Sequence, residues 1–67
     1  MRVNAHVLTE LKRLTAEREA GELEGYNADV NKLPEFFYQP YVRLTARQRG
    51  YIFGRELRLL EMKGEQE

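Results

Sequence analysis

The strongest constraint on the fold comes from residues 46–63, where apolar residues follow two separate lines along one predicted helix. At about 100° per residue, these lines lie roughly 120° or more apart around the helix. A helix needs only one apolar face to pack on its own core, so the other face needs a second cover or a binding partner. The first line comprises Ala46, Gly50, Phe53, Leu57 and Leu60, and the second comprises Ile52, Leu59 and Met62.

The chain has few other means of supporting a small core. It has 67 residues and no cysteine, which excludes disulfides and zinc–thiolate clusters. A domain of about 60 residues buries only roughly 60% of the surface that its unfolded chain exposes. Small domains without such supports rely on oligomerisation or on a very regular helical core. We therefore expect one helical domain, residues 1–67, that self-associates, for example as a homodimer, or binds a protein partner.

Residues 4–20 have the pattern of a first amphipathic helix, because apolar residues recur at spacings of four, four and three. Asn4 is a suitable N-cap, and Gly21 stands where a glycine often ends a helix. Charged residues occupy the opposite face, which we expect to be solvated. The apolar residues are Val3, Val7, Leu11 and Leu14, with Leu8 beside them.

The segment between the helices is rich in aromatic residues and contains two prolines. Pro34 favours the start of a short helix and Pro40 its end. An extended conformation is the competing interpretation, since Phe, Tyr and Val favour strands, although each proline removes a donor from a strand ladder. We predict a short helix or turn within residues 27–39, followed by an extended linker.

The second main helix, residues 46–63, has clear signals at both ends. Thr45 and Gln48 match a capping box, in which each side chain accepts a hydrogen bond from the other residue's backbone N–H. Gly64 follows Lys63, which places a cation in the last turn and a glycine just beyond it. Together these signals predict an all-α fold: a two-helix hairpin with a short bridging aromatic helix or turn, which dimerisation could complete.

Two glycines lie inside this second helix at a cost of about 1 kcal/mol each relative to alanine. Gly50 and Gly54 are four residues apart, a spacing that permits close approach of another helix. The alternative is that Gly50 leaves room for a bulky ring such as Phe37 or Tyr41. We favour the ring.

The sequence offers no grouping of residues for catalysis. It contains no serine or cysteine, and none of its threonines lies near the single histidine in a nucleophile–base pattern. His6 and Glu10 could share a helix face, but such pairs are common on helix surfaces. We therefore expect a non-enzymatic protein without a metal or another cofactor.

No apolar run approaches the roughly 20 residues that cross a membrane. The first nine residues also lack the apolar stretch of a secretory signal. We therefore expect a cytoplasmic protein that makes no membrane contact.

The charged residues are divided between two regions. Acidic residues outnumber basic ones by four in residues 17–35, whereas arginines outnumber acidic residues by four in residues 43–58. We favour pairing between these regions, because a net charge of zero provides no long-range attraction to DNA. The alternative is a small DNA-binding regulator whose C-terminal helix contacts phosphates. Its nucleic-acid-binding residues would be Arg47, Arg49, Arg55 and Arg58.

Residues 44–57, with the sequence LTARQRGYIFGREL, resemble a pattern found in small phage and plasmid proteins. Those proteins carry Leu-Thr, a Gln three residues further on, then Ile-Phe and a Glu-Leu pair in a C-terminal helix. The resemblance implies an origin in a phage or another mobile element. Small proteins of that origin often bind and inhibit a host protein, so the host cytoplasm would be the site of action.

We accordingly predict a binding module, a small regulator or inhibitor that docks on a larger protein. The second apolar line and the aromatic segment form the predicted contact surface, unless the aromatic segment itself covers that line. Aromatic residues and arginine contribute most to interface energetics, so one arginine is included. The predicted protein-binding residues are Phe36, Phe37, Tyr38, Tyr41, Ile52, Arg55, Leu59 and Met62.

Overall fold

A computed structural model describes residues 4–65, with side chains through residue 64. The helix α1 spans Ala5–Asn27 and the helix α2 spans Ala46–Glu65. Two short 3-10 helices, Glu35–Tyr38 and Tyr41–Arg43, lie in the segment between them. Residues 4–65 contain no strand, and the two α-helices pack against each other. The predicted all-α fold with two packed helices and a short bridging region is therefore confirmed.

The helix α1 starts as predicted but ends later. The side chain of Asn4 accepts a hydrogen bond of 2.8 Å from the backbone N–H of His6, which confirms the N-cap. The predicted end at Ala20 is wrong, because the helix continues to Asn27. Gly21 does not adopt the positive φ of a helix-ending glycine, and it is buried in the middle of the helix.

The capping box at the start of α2 is confirmed. The backbone N–H of Thr45 donates to Oε1 of Gln48 at 3.0 Å, and the backbone N–H of Gln48 donates to Oγ1 of Thr45 at 3.1 Å. The predicted end at Lys63 is two residues too early, since the helix includes Gly64 and reaches Glu65. Gly64 also lacks a positive φ and therefore continues the helix.

The two prolines of the bridging segment, residues 28–45, determine where its short helices begin. A 3-10 helix begins after Pro34 as predicted, although residues 28–34 before it are not helical. Residues 41–43 form a second 3-10 turn where an extended linker was predicted. The reason is that Pro40 has the φ of −57° that suits a helix start, and its carbonyl accepts from the N–H of Arg43 at 2.9 Å.

The two helices meet at four buried glycines, which we call the glycine crossing: Gly21 and Gly25 on α1, Gly50 and Gly54 on α2. A Cβ atom on any of them would overlap a backbone carbonyl oxygen of the other helix. The backbones therefore touch directly. The expectation that Gly50 leaves room for a ring is wrong, because the atoms beside it belong to the backbone of α1.

The helices run in the same direction where they cross. Gly50 faces the backbone of Arg18 and Glu22, and Gly54 faces Glu22 and Tyr26. The partners on α1 thus advance together with the positions on α2, which differs from the predicted hairpin, in which they would run in opposite order. The bridging segment is long enough to carry the chain back along α1 before α2 begins.

The pair is also staggered, because α2 begins beside the second half of α1 and continues past its end. At 1.5 Å per residue such a pair is about 46 Å long, whereas an antiparallel pair would be about 35 Å long. The longest dimension of the molecule is 48 Å. The N-terminal half of α1 and the C-terminal half of α2 consequently have no helix beside them.

The glycine crossing replaces an ordinary apolar core. Within the described residues, Leu44 is the one buried hydrophobic side chain, with 6% exposed. The chain exposes 5684 Å² to solvent, whereas a folded monomer of its mass exposes about 4,400 Å². The exposed large hydrophobic residues are Val7, Leu8, Leu11, Leu14, Leu23, Leu33, Tyr38, Tyr41, Val42, Phe53, Leu57 and Leu60.

Candidate binding surfaces

The most exposed apolar side chains of the bridging segment form one group, which we call the aromatic surface: Tyr38, Tyr41 and Val42. Tyr38 and Val42 are each 79% exposed and Tyr41 is 59% exposed. Tyr38 and Tyr41 were predicted as binding residues, and the structure places them on the outside. Val42 was not predicted, because a single valine between Tyr41 and Arg43 gives no periodic signal.

The two phenylalanines of the predicted contact surface lie elsewhere. Phe36 and Phe37 are half-buried and stack on each other with their ring centroids 5.8 Å apart. Both rings meet the ring of Tyr51 edge-on, at centroid distances of 5.4 and 6.4 Å. Edge-on contact at these distances is a favourable arrangement for a pair of aromatic rings. Phe36 and Phe37 therefore attach the bridging segment to α2.

Arg55 strengthens the same attachment. Its guanidinium group donates a hydrogen bond of 2.9 Å to the carbonyl of Val30 and lies 5.3 Å from the ring centre of Phe37. The Nε atom of Arg55 is buried without a hydrogen-bond partner among the described atoms. This side chain thus holds the start and the middle of the bridging segment against one side of α2.

The two apolar lines of α2 differ in exposure. Ile52, Leu59 and Met62, which were predicted to contact a partner, are half-buried on the side of α2 that adjoins Tyr51 and Arg55. The first line is more exposed in the part of α2 that follows the glycines. There α2 continues past the end of α1, since Gly54 already faces Tyr26 near the end of α1. We call its exposed part the α2 stripe: Phe53, Leu57 and Leu60.

A similar stripe lies at the other end of the molecule. Val7, Leu11 and Leu14, here called the α1 stripe, are all exposed on the half of α1 that precedes the crossing. Both stripes have spacings of four and then three residues, and both continue into the glycines of their own helix. The sequence carried a signal for this arrangement, since the glycine spacing of four occurs in both helices.

A groove of about 470 Å³ connects the α1 stripe with the aromatic surface. It lies where α1, the end of the bridging segment and the start of α2 meet. Its walls are mainly apolar, with an arginine from each helix. The lining residues are Leu11, Leu14, Thr15, Arg18, Tyr41, Leu44, Ala46 and Arg49.

Two of the arginines proposed for nucleic acid contact bind within the chain. Arg47 forms an ion pair with Glu24 across the two helices, although about half of each side chain remains exposed. Arg49 donates to the carbonyls of Tyr41 and Val42, both at 3.3 Å, and its guanidinium lies 4.9 Å from the ring centre of Tyr41. Arg49 therefore supports the backbone beneath the aromatic surface.

The crossing is extended at its C-terminal end by a polar cluster. The hydroxyl of Tyr26 donates to the carboxylate of Glu61, and the guanidinium of Arg58 lies 5.6 Å from the Tyr26 ring centre. This hydrogen bond raises the pKa of Tyr26, because ionisation would place two negative charges together. All four arginines of the nucleic-acid alternative thus have a contact inside the fold.

A second polar pair lies on the exposed face of α1. The guanidinium of Arg13 donates two hydrogen bonds to Glu10, at 3.2 and 2.5 Å. These bonds lower the pKa of the Glu10 carboxyl and raise that of Arg13.

The described part of the chain contains no group of three or more His, Cys, Asp or Glu side chains that could hold a metal ion. Neither helix in residues 4–65 combines the length and the apolar character required to cross a membrane. Comparison of the chain with known protein families, with characterised proteins and with solved structures gave no match.

Proposed function

We propose that this protein is a non-enzymatic binding module, a small regulator that docks on a larger protein through the aromatic surface. The observation that carries this proposal is the outward position of Tyr38, Tyr41 and Val42 on a segment that is otherwise fixed to α2. Contiguous exposed apolar groups mark interaction sites on small proteins. Tyrosine is also among the side chains that contribute most to interface energetics.

The rigidity of the segment supports the same proposal. Two 3-10 helices, the Phe36 and Phe37 contacts with Tyr51, and the hydrogen bonds from Arg49 fix its backbone. A surface that is already ordered loses little conformational entropy when a partner binds. An exposed loop held in this way is therefore better suited to recognition than a mobile one.

The charge around the aromatic surface indicates the chemistry of the partner. Arg43 follows Val42 in sequence, and the guanidinium of Arg49 lies 4.9 Å from the ring centre of Tyr41. A protein that presents an acidic surface beside an apolar pocket would complement both features. The resemblance of residues 44–57 to small phage proteins makes a host protein the proposed partner.

The test is affinity capture from a bacterial lysate with matched variants. Tyr38→Ala and Val42→Asp should each abolish capture of the partner, while circular dichroism shows unchanged helix content. The control is Leu23→Ala, which removes an apolar side chain that is 65% exposed on the far side of α1 and should leave capture intact. Capture that is equal for all three variants would contradict the docking role of the aromatic surface.

Nucleic acid is the second candidate partner, because exposed tyrosine rings beside arginines can stack on unpaired bases. The discriminating measurement is the fluorescence anisotropy of labelled random duplex and single-stranded DNA at increasing salt concentration. Phosphate-dominated binding weakens steeply with salt. If salt-sensitive binding is seen and Tyr38→Ala abolishes it, nucleic acid replaces a protein as the proposed partner. If no binding is seen at low salt, nucleic acid is excluded as the partner.

A further inference from the structure

We propose that a second copy of this chain covers the α1 and α2 stripes, and that the protein is a two-fold dimer. In this dimer the α1 stripe of each copy packs on the α2 stripe of the other. The α1 stripe shares a groove with Tyr41, but Tyr38 and Val42 do not line that groove, so variants at positions 38 and 42 test the docking proposal separately from the dimer.

The exposed area of the chain is large enough to supply a dimer interface. The chain exposes 5684 Å², which exceeds the area expected for a folded monomer of this mass by about 1,300 Å². A stable protein–protein interface buries about 800 Å² on each partner. An interface of that size on each copy, centred on the two stripes, would therefore account for most of the excess.

The stagger explains why the second copy fits. The two stripes lie at opposite ends of a molecule 48 Å long, and each spans two helical turns with the same spacing. A two-fold axis perpendicular to the long dimension reverses the molecule. It therefore brings the α1 stripe of one copy beside the α2 stripe of the other at both ends, and the contact closes after two copies.

The flanking charges favour this pairing over one between identical stripes. The residues beside the α1 stripe are Glu10 and Glu17, with Arg13 between them and paired with Glu10, which leaves a net charge of −1. The corresponding flank of α2 carries Arg49 and Lys63 with Glu56 between them, a net charge of +1. Equivalent flanks meet when two helices pack antiparallel. Contact between α1 and the partner's α2 brings opposite net charges together, but contact between two α1 stripes would bring carboxylates together. A net charge of zero also means that two copies do not repel each other at long range.

The first test is sedimentation equilibrium of the full chain over a range of concentrations. We expect a mass twice the 7.9 kDa of the chain. A mass that stays at one chain throughout would overturn the dimer. A mass that grows without limit would overturn the two-fold closure, since a head-to-tail contact between the same stripes gives an open filament.

The second test identifies which stripes meet. Leu11→Glu and Leu57→Lys each place a charge at the centre of one stripe and should weaken self-association by about thirtyfold or more. An equal mixture of the two variants should restore a dimer. One of its two contacts then joins Glu at position 11 to Lys at position 57, and the other contact is unchanged. Leu23→Glu, on the opposite face of α1, should remain dimeric.

The mixture also deals with variants that lose structure when they cannot dimerise. If either single variant loses helix content, the mixture should recover it, which circular dichroism measures directly. Two monomeric variants that give no dimer on mixing would overturn the pairing of α1 with the partner's α2. Val42→Asp should remain dimeric. A dimer in this variant would show that the dimer proposal does not depend on the docking proposal.

Discussion

Glycine is the residue on which the packing of this fold depends. Inside a helix each glycine lowers stability by about 1 kcal/mol relative to alanine, yet four of them are buried at one crossing. A Cβ atom there would meet the carbonyl of a neighbouring helix, and backbone atoms cannot turn aside as a side chain can. The glycines therefore fix both the closeness of the helices and their register.

Substitution at the crossing should show this directly. Gly21→Ala and Gly50→Ala gain helix propensity but force the backbones apart, so we expect each to lower the free energy of unfolding by about 1–3 kcal/mol. Urea unfolding followed by circular dichroism, at one fixed protein concentration, measures the change.

Gly64 provides the matched control, because nothing lies within 4 Å of a Cβ atom at that position. Gly64→Ala should be neutral or raise stability by up to about 1 kcal/mol through helix propensity alone. Equal effects of alanine at positions 21, 50 and 64 would contradict direct contact between the two backbones.

Tyr26 gives the fold a dependence on alkaline pH. Because hydrogen bonding to Glu61 raises its pKa in the folded state, the contact is fully present below the ordinary value of 10.0. Its stabilising contribution is then lost as the pH rises through the raised pKa. Tyr26→Phe removes the hydroxyl, so the difference in melting temperature between this variant and the unchanged protein should be constant up to about pH 9 and shrink as the pH rises above about 10. A difference that stays constant above about pH 10 would contradict the role of the hydroxyl.

At the level of secondary structure, the sequence predicts the starts of helices better than their ends. Asn4 and the Thr45–Gln48 pair act on their own backbone neighbours, so local sequence is sufficient to identify them. Gly21 was misinterpreted because a glycine that ends a helix and one that touches another helix have the same local surroundings. The deciding neighbour of Gly21, Arg47, is remote in sequence.

The predicted binding residues fall into an exposed group and a half-buried group for a similar reason. Tyr38 and Tyr41 are exposed as expected, but the two apolar lines of α2 have exchanged their expected exposures. Hydrophobic periodicity shows that two lines exist, yet it does not show which one faces α1. The glycines decide that orientation, since the closest approach of two helices occurs where side chains are absent.

The N-cap of α2 should be important because the bridging segment ends there. Thr45→Ala removes the hydroxyl that accepts from Gln48 and should cost about 1 kcal/mol of stability. The control is Thr9→Ala, whose hydroxyl only donates to the carbonyl of Ala5 within α1. It should change stability by less than about 0.5 kcal/mol. Thermal unfolding of both variants at equal concentration compares them, and equal losses would show that the cap has no special role.

At the level of the whole molecule, the size and composition of the chain indicated that one protomer would not bury all of its apolar surface. The parallel, staggered arrangement differs from the hairpin that the sequence predicted, because two amphipathic helices joined by a long segment can run in either direction. The deciding information is again the pairing of glycine positions along both helices. The stagger moves the α1 and α2 stripes to the two ends of the molecule, and the sequence alone gave no sign of that placement.

The glycine crossing has a further thermodynamic consequence. The heat capacity increase of unfolding comes mainly from hydrocarbon that becomes hydrated, and the crossing removes peptide groups from water more than hydrocarbon. A separated protomer should therefore lose its structure with a heat capacity change below the usual value of about 12–15 cal/mol/K per residue. Most of the calorimetric signature of an apolar core would then arise when chains come together.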